Sequence, residues 1–153
     1  MEMQHTHHYG KLLVMAILSF LAMYILMYAM VDTFSNVFMN INQFYMAGLM
    51  TSPMIIIELL LMGSMYKNKK INILLIAGST VLLITFFLLI RQQAAVDDKQ
   101  FIKSMIPHHS GAILMCEHAD IKDPELKKLC EQIRSGQQTE IDQMKAKLNE
   151  LEK

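Results

Sequence analysis

Three long, predominantly apolar runs occupy most of the first ninety residues, and a different periodicity replaces them afterwards. Leu12 to Val31 carries no charge over about 20 residues, the length an α-helix needs to cross the hydrocarbon core of a bilayer. It is too long for the apolar region of a signal peptide, and no small-x-small cleavage site follows it, so it reads as a retained transmembrane helix. Asp32 closes it, and Thr33 to Gln43 has Asn and Ser but no Lys or Arg. A second run extends from about Phe44 to Tyr66, with Pro53 inside it to bend the helix. Glu58 falls near the middle of that run, where an ionised carboxylate costs about 2.5–3.5 kcal/mol. It should therefore be protonated, paired or turned toward a polar cavity. The third run, Ile71 to Ile90, ends at Arg91.

From Asp97 the apolar positions recur at helical spacing instead. One helix is predicted from about Asp97 to Ile121, with Phe101, Met105, His109, Ala112, Cys116 and Ala119 on its seam; Pro107 should kink it or mark its true start. Asp123-Pro124-Glu125 is a strong helix start, an N-cap followed by proline and an acid in the first turn. The second helix should run to about Leu151 along Leu126, Cys130, Ile133, Gln137, Ile141, Met144 and Leu148. Folding the pair about Lys122 sets Cys116 against Cys130, Ala112 against Ile133, and His108 and His109 against Gln137. Met105 then faces Glu140 or Ile141, and Phe101 faces Met144, with one turn of latitude that lets Met144 approach Met105.

The predicted fold class is therefore all-α: three transmembrane helices followed by a two-helix hairpin. Residues 1–11 form a polar tail, 12–91 a membrane domain and 97–153 a soluble domain. Two such helices bury little apolar surface alone, so the hairpin is expected to pair with a second copy as a four-helix bundle, a homodimer.

Charge supports that division. Between Leu12 and Tyr66 the ionisable acids are Asp32 and Glu58, whereas 11 acidic and 9 basic residues follow from Asp97 onward. Formal net charge is zero, so nothing points to nucleic acid. Lys67, Lys69 and Lys70 sit between the second and third runs, and the positive-inside rule places them in the cytoplasm. With Lys11 in agreement, the N-terminus is predicted to be cytoplasmic. The C-terminal domain then lies on the outer face of the cytoplasmic membrane, in the periplasm where a second membrane exists.

The candidate chemistry is that of soft-metal ligands. Met105, His109 and Cys116 share one helix face; His108 and Met115 share the neighbouring face, with His118 at its far edge. Thioether, imidazole and thiolate favour Cu(I), and imidazole also suits Zn and Cu(II). The alternative is a hairpin core in which Met and Cys only fill space. Of the 15 methionines, 12 lie at or before Met65. Met46, Met50, Met54, Glu58 and Met62 recur every four residues, and Met23, Met27 and Met30 form a tighter row. These rows could pass Cu(I) or simply pack, and a four-residue repeat drifts about 40° per step around a helix. The tail carries Met3, His5, His7 and His8, which could bind Cu(II) or Zn or belong to a flexible segment. Cys116 and Cys130 are not a zinc-type pair; a disulfide, two core thiols and copper ligation all remain open.

The run FIKSMIPHHSGAILM, the turn Asp123-Pro124-Glu125-Leu126 and the later Ile133, Gln137, Glu140, Ile141 and Met144 resemble the domain-of-unknown-function 305 family. The resemblance covers about Asp97 to Leu151. That family is placed among ferritin-like folds and includes CopM-type periplasmic copper-binding proteins. It implies Met105, His108, His109 and Met144 as ligands, with Glu140 in or beside the site; Gln137 would join it from the second helix. The expected function is a membrane-anchored copper-binding protein that sequesters Cu(I) or hands it to a copper-exporting or copper-receiving partner. A copper transporter or channel component using the Met rows and Glu58 is the alternative. A metalloenzyme is disfavoured, because ferritin-like di-iron sites need several inward carboxylates and the seam offers Glu140 alone.

Overall fold

The structure, a computed structural model, describes residues 2–153, with side chains described from His8 onward. Among these residues it is all-α, with α1 (Glu2–Leu26), α2 (Ile41–Leu61), α3 (Lys69–Arg91), α4 (Asp98–His118) and α5 (Pro124–Leu151). Two 3-10 turns, Met27–Met30 and Phe34–Asn36, lie between α1 and α2. The chain forms two compact units: Met1–Leu26 with Asn42–Ala94, and Met27–Ile41 with Ala95–Lys153.

The first unit contains three helices long and apolar enough to cross a membrane. α1 starts about ten residues before the apolar run does, so the polar tail continues the helix, although the side chains of His5 and His7 lie outside those described. Asn68 caps α3 by accepting from the N–H groups of Lys70 and Ile71 at 3.1 and 3.2 Å. Leu12, Leu59 and Tyr66 are buried together, with Tyr9, Met15, Ile55, Leu75 and Ile76 around them. α2 stops at Leu61 instead of Tyr66, which moves Glu58 from mid-helix to the last turn. There it accepts a hydrogen bond from the Tyr66 hydroxyl at 3.2 Å. Tyr9 donates to Asn72 Oδ1 and Asn72 donates to the Tyr66 carbonyl, both at 2.7 Å, so the same end of the unit is stitched by polar side chains.

The second unit is built on the α4–α5 hairpin. Asp97 and Asp123 cap the two helices through the N–H groups of Gln100 and Leu126, at 2.8 and 2.9 Å, as residues with short acceptor side chains do. Pro107 neither breaks α4 nor starts it; the helix runs through it and buries it. Cys116 and Cys130 form a disulfide next to the turn, with α-carbons 5.2 Å apart. Lys103 and Glu152 pair at 2.9 Å near the far end.

The core departs from the expected seam. Ile102, Ile106, Ile113, Ile141 and Leu148 are buried, whereas Phe101 is 52% exposed. The reason is a third element that the apolar pattern did not announce. The first apolar run is expected to stay helical to Val31, but α1 ends at Leu26, and Met27–Ile41, the end of that run together with most of the connection after it, folds as a strap along α4. Phe38 packs into the hairpin core, and the Ile41 N–H donates to Gln100 Oε1 at 2.9 Å. Asp32 ties the middle: its N–H donates to Ser110 Oγ at 2.8 Å while its carboxylate accepts from the Ser110 hydroxyl and from Asn36 Nδ2. Gly111 lies beside it against the strap; a Cβ there would make ordinary van der Waals contact, 3.4 Å from the Met30 carbonyl oxygen. α4 is thus covered on two sides, and its buried face is wider than a two-helix seam.

Burial is the largest single influence on the Asp32 carboxyl and raises it, but the hydrogen bonds from Ser110, Asn36 and Thr33 together outweigh burial and hold it below its ordinary value. A carboxyl lowered in the folded state adds stability above its unfolded pKa and loses it as pH falls through the folded value. Corrected amide exchange of residues 32–38 should therefore accelerate on acidification below the ordinary carboxylate range. Ser110→Ala, which strips a fully buried partner, should destabilise this unit by about 1–3 kcal/mol at neutral pH. Exchange that ignores both changes would show that the strap is held by something else.

The disulfide closes a loop with a sequence separation of 14. Protein purified without reductant should expose no free thiol by thiol counting. Replacing both cysteines with serine should cost about 3 kcal/mol in denaturation, the loop-entropy value for this size.

Candidate metal centre

His109 lies on the α4 face that meets α5 and is 8% exposed. Its Nδ1 sits 2.9 Å from the carbonyl oxygen of Met105, one turn back. A carbonyl can only accept, so Nδ1 carries the hydrogen and Nε2 is the nitrogen left for other partners. Nε2 lies 2.7 Å from Glu140 Oε2 on α5. One proton lies between that nitrogen and that oxygen, whichever of the two holds it. A ring oriented through one nitrogen with the other directed at a site is the arrangement that metal-binding histidines commonly use.

Around this pair the helical spacing gathers thioethers. Met105 is one turn before His109, and Met144 is one turn after Glu140. All four line a cavity of about 340 Å³, with Phe101, Ile102 and Lys147 at its margin. Among the described residues no group of three or more His, Cys, Asp and Glu converges anywhere. Here one imidazole, one carboxylate and two neutral thioethers converge instead. That donor set fits a soft monovalent ion better than a hard divalent one.

His109 meets Glu140 and not Gln137, one turn beyond the pairing obtained by folding the sequence about Lys122. Long side chains lean toward the N-terminus of their own helix, and in an antiparallel pair the two leans are opposite. A long α4 side chain therefore meets an α5 residue several positions further on, while the short cysteines do not shift. Gln137 is half-buried and does not line the cavity.

The remaining predicted ligands are dispersed. His108 is exposed, its ring 6.0 Å from that of His109 and outside the cavity. Met115 is exposed, and His118 is exposed in the last turn of α4. Cys116 and Cys130 are joined to each other, so neither offers a thiolate while the bond stands. In the first unit, Met46, Met50 and Met62 are exposed, and Met54 and Glu58 are half-buried. The buried face of α2 belongs to Tyr45, Ala47, Gly48, Thr51, Ser52 and Leu59. The four-residue Met repeat winds off that face, as its drift requires.

Sequence reasoning missed the strap. Its signals were the acceptor-rich Asp32-Thr33 and Ser35-Asn36 around an apolar Phe34, and the small pair Ser110-Gly111 on α4.

Comparison with known proteins bears on the whole chain. The family model described as "Domain of unknown function (DUF305)" matches residues 88–148, from the last turn of α3 through most of α5. An uncharacterized protein of Acanthamoeba polyphaga mimivirus is 36% identical over 144 residues, spanning 92% of this chain and 93% of that protein. That match therefore takes in most of the apolar half as well as the hairpin. No solved structure matches. With the motif of α4, the partner residues of α5 and these two matches in place, the chain belongs to the DUF305 family.

Proposed function

We propose that this protein is a membrane-anchored copper-binding protein whose hairpin holds Cu(I), to sequester it or hand it to a copper-exporting or copper-receiving partner. The observation that carries this reading is the convergence of His109 Nε2, Glu140 and the thioethers of Met105 and Met144 on one cavity. In that site His109 and the two methionines are the ligands. Glu140 gives up its shared proton when the ion arrives and then orients the imidazole or adds an oxygen donor.

The three apolar helices serve as the anchor, in the cytoplasmic membrane, with Lys67, Lys69 and Lys70 inside. Three crossings put the α1–α2 connection and the C-terminal domain on the same side. The packing of the strap on the hairpin supports that arrangement independently of charge. A reporter fused after Lys153 should be active only when the reporter works outside the cytoplasm; cytoplasmic activity alone would reverse the topology.

The metal site has its own test. Binding replaces a proton at Nε2, so Cu(I) affinity should fall as pH falls, while the thioethers, which do not titrate, keep a residual affinity. Zn²⁺ should bind more weakly and lose nearly all affinity in acid. In competition with a chromophoric chelator, His109→Ala, Met105→Leu and Met144→Leu should each weaken Cu(I) binding by about tenfold or more, and Glu140→Gln by about 10–100-fold. His118→Ala should leave it unchanged. Equal affinities across the set would remove copper from this cavity.

A further inference from the structure

The strap delivers a third methionine to α4, on a flank of the helix between a quarter-turn and a half-turn away from His109. Gly111 marks the place: a Cβ built there would stand 3.9 Å from the Cβ of Met30 and 3.4 Å from its carbonyl oxygen. His108 lies one turn before Gly111 and Met115 one turn after it, and at 100° per residue the three positions fall within about 60° of one another. Met30 therefore reaches α4 between an imidazole and a thioether. Met30 is 52% exposed, Met115 is 54% exposed and His108 is exposed as well, so burial does not account for these side chains. Met residues used as core filler sit inside; these stand at the surface with their flexible ends free to converge.

We propose that Met30, His108 and Met115 form a second Cu(I) site on the outer flank of α4. Two neutral sulfurs and one imidazole are a donor set for a soft monovalent ion and a poor one for Zn²⁺, which wants nitrogen, thiolate or carboxylate. The strap completes this site, because α4 by itself provides only two donors separated by two turns. The site is open to solvent where the His109 cavity is recessed, so it is the one that can first receive an ion or pass it to a partner surface.

The test uses the full-length protein in detergent, titrated with Cu(I) alone against a chromophoric chelator under inert gas. Wild type should bind two equivalents. Met30→Leu preserves volume and should remove one of them, weakening that equivalent by about tenfold or more while thermal stability holds. Met115→Leu, a variant outside the strap contact, should remove the same equivalent. His109→Ala should remove the other one. X-ray absorption of His109→Ala loaded with one equivalent should show sulfur neighbours, and fewer in the Met30→Leu background. Wild-type binding of one equivalent that His109→Ala abolishes, or two equivalents untouched by Met30→Leu and Met115→Leu, would overturn this site. One equivalent lost in Met30→Leu but kept in His109→Ala would support it and instead overturn the reading of the His109 cavity.

Discussion

A single carboxylate determines how the second unit is assembled. Asp32 accepts from Ser110, Asn36 and Thr33 and sends its own N–H to Ser110, so one side chain joins the strap to the middle of α4. Ser110 is fully buried, and a buried hydroxyl facing a carboxylate has no good alternative partner. The clamp therefore specifies register as well as adding stability. It puts Gly111 under Met30, which sends Phe38 onto the core and brings the start of α2 to Gln100. A hairpin of two helices would be a marginal domain; the strap widens its core without a second chain. It covers one flank of α4, so a dimer of hairpins would have to use the others.

The His109 cavity follows from ordinary helix geometry once that packing is set. The ring is held at Nδ1 by its own helix and directed at α5 through Nε2, which lies at hydrogen-bond distance from Glu140. The Glu140 side chain is 54% exposed, so it faces the imidazole on one side and solvent on the other. In the other unit, small polar and aromatic residues of α2 face inward while Met46 and Met50 face outward and Met54 is half-buried, which leaves most of that row as surface of this chain. Glu58, in the last helical turn with a tyrosine hydroxyl on it, has the partner that a carboxylate near apolar surroundings requires.

Much of this was determined by the sequence alone, because the features involved are local or periodic. Twenty uncharged residues cannot be much other than a long apolar helix. Asp97 and Asp123 cap helices through neighbours three residues on, and the cysteines flank a short turn. The i, i+4 spacing of Met105 with His109, and of Glu140 with Met144, places each pair on one helix face whatever the rest of the chain does. Tertiary structure decided what depends on a second element. The lean of long side chains in an antiparallel pair shifted His109 from Gln137 to Glu140. A contact between Asp32 and Ser110, separated by 78 residues, turned a connection into a strap and rotated the core toward Ile102 and Ile106. No periodicity records such a contact, because hydrogen bonds between distant polar residues carry no repeat. Met30 shows the difference most plainly: in sequence it ends an apolar run, and only the fold sets it beside Gly111.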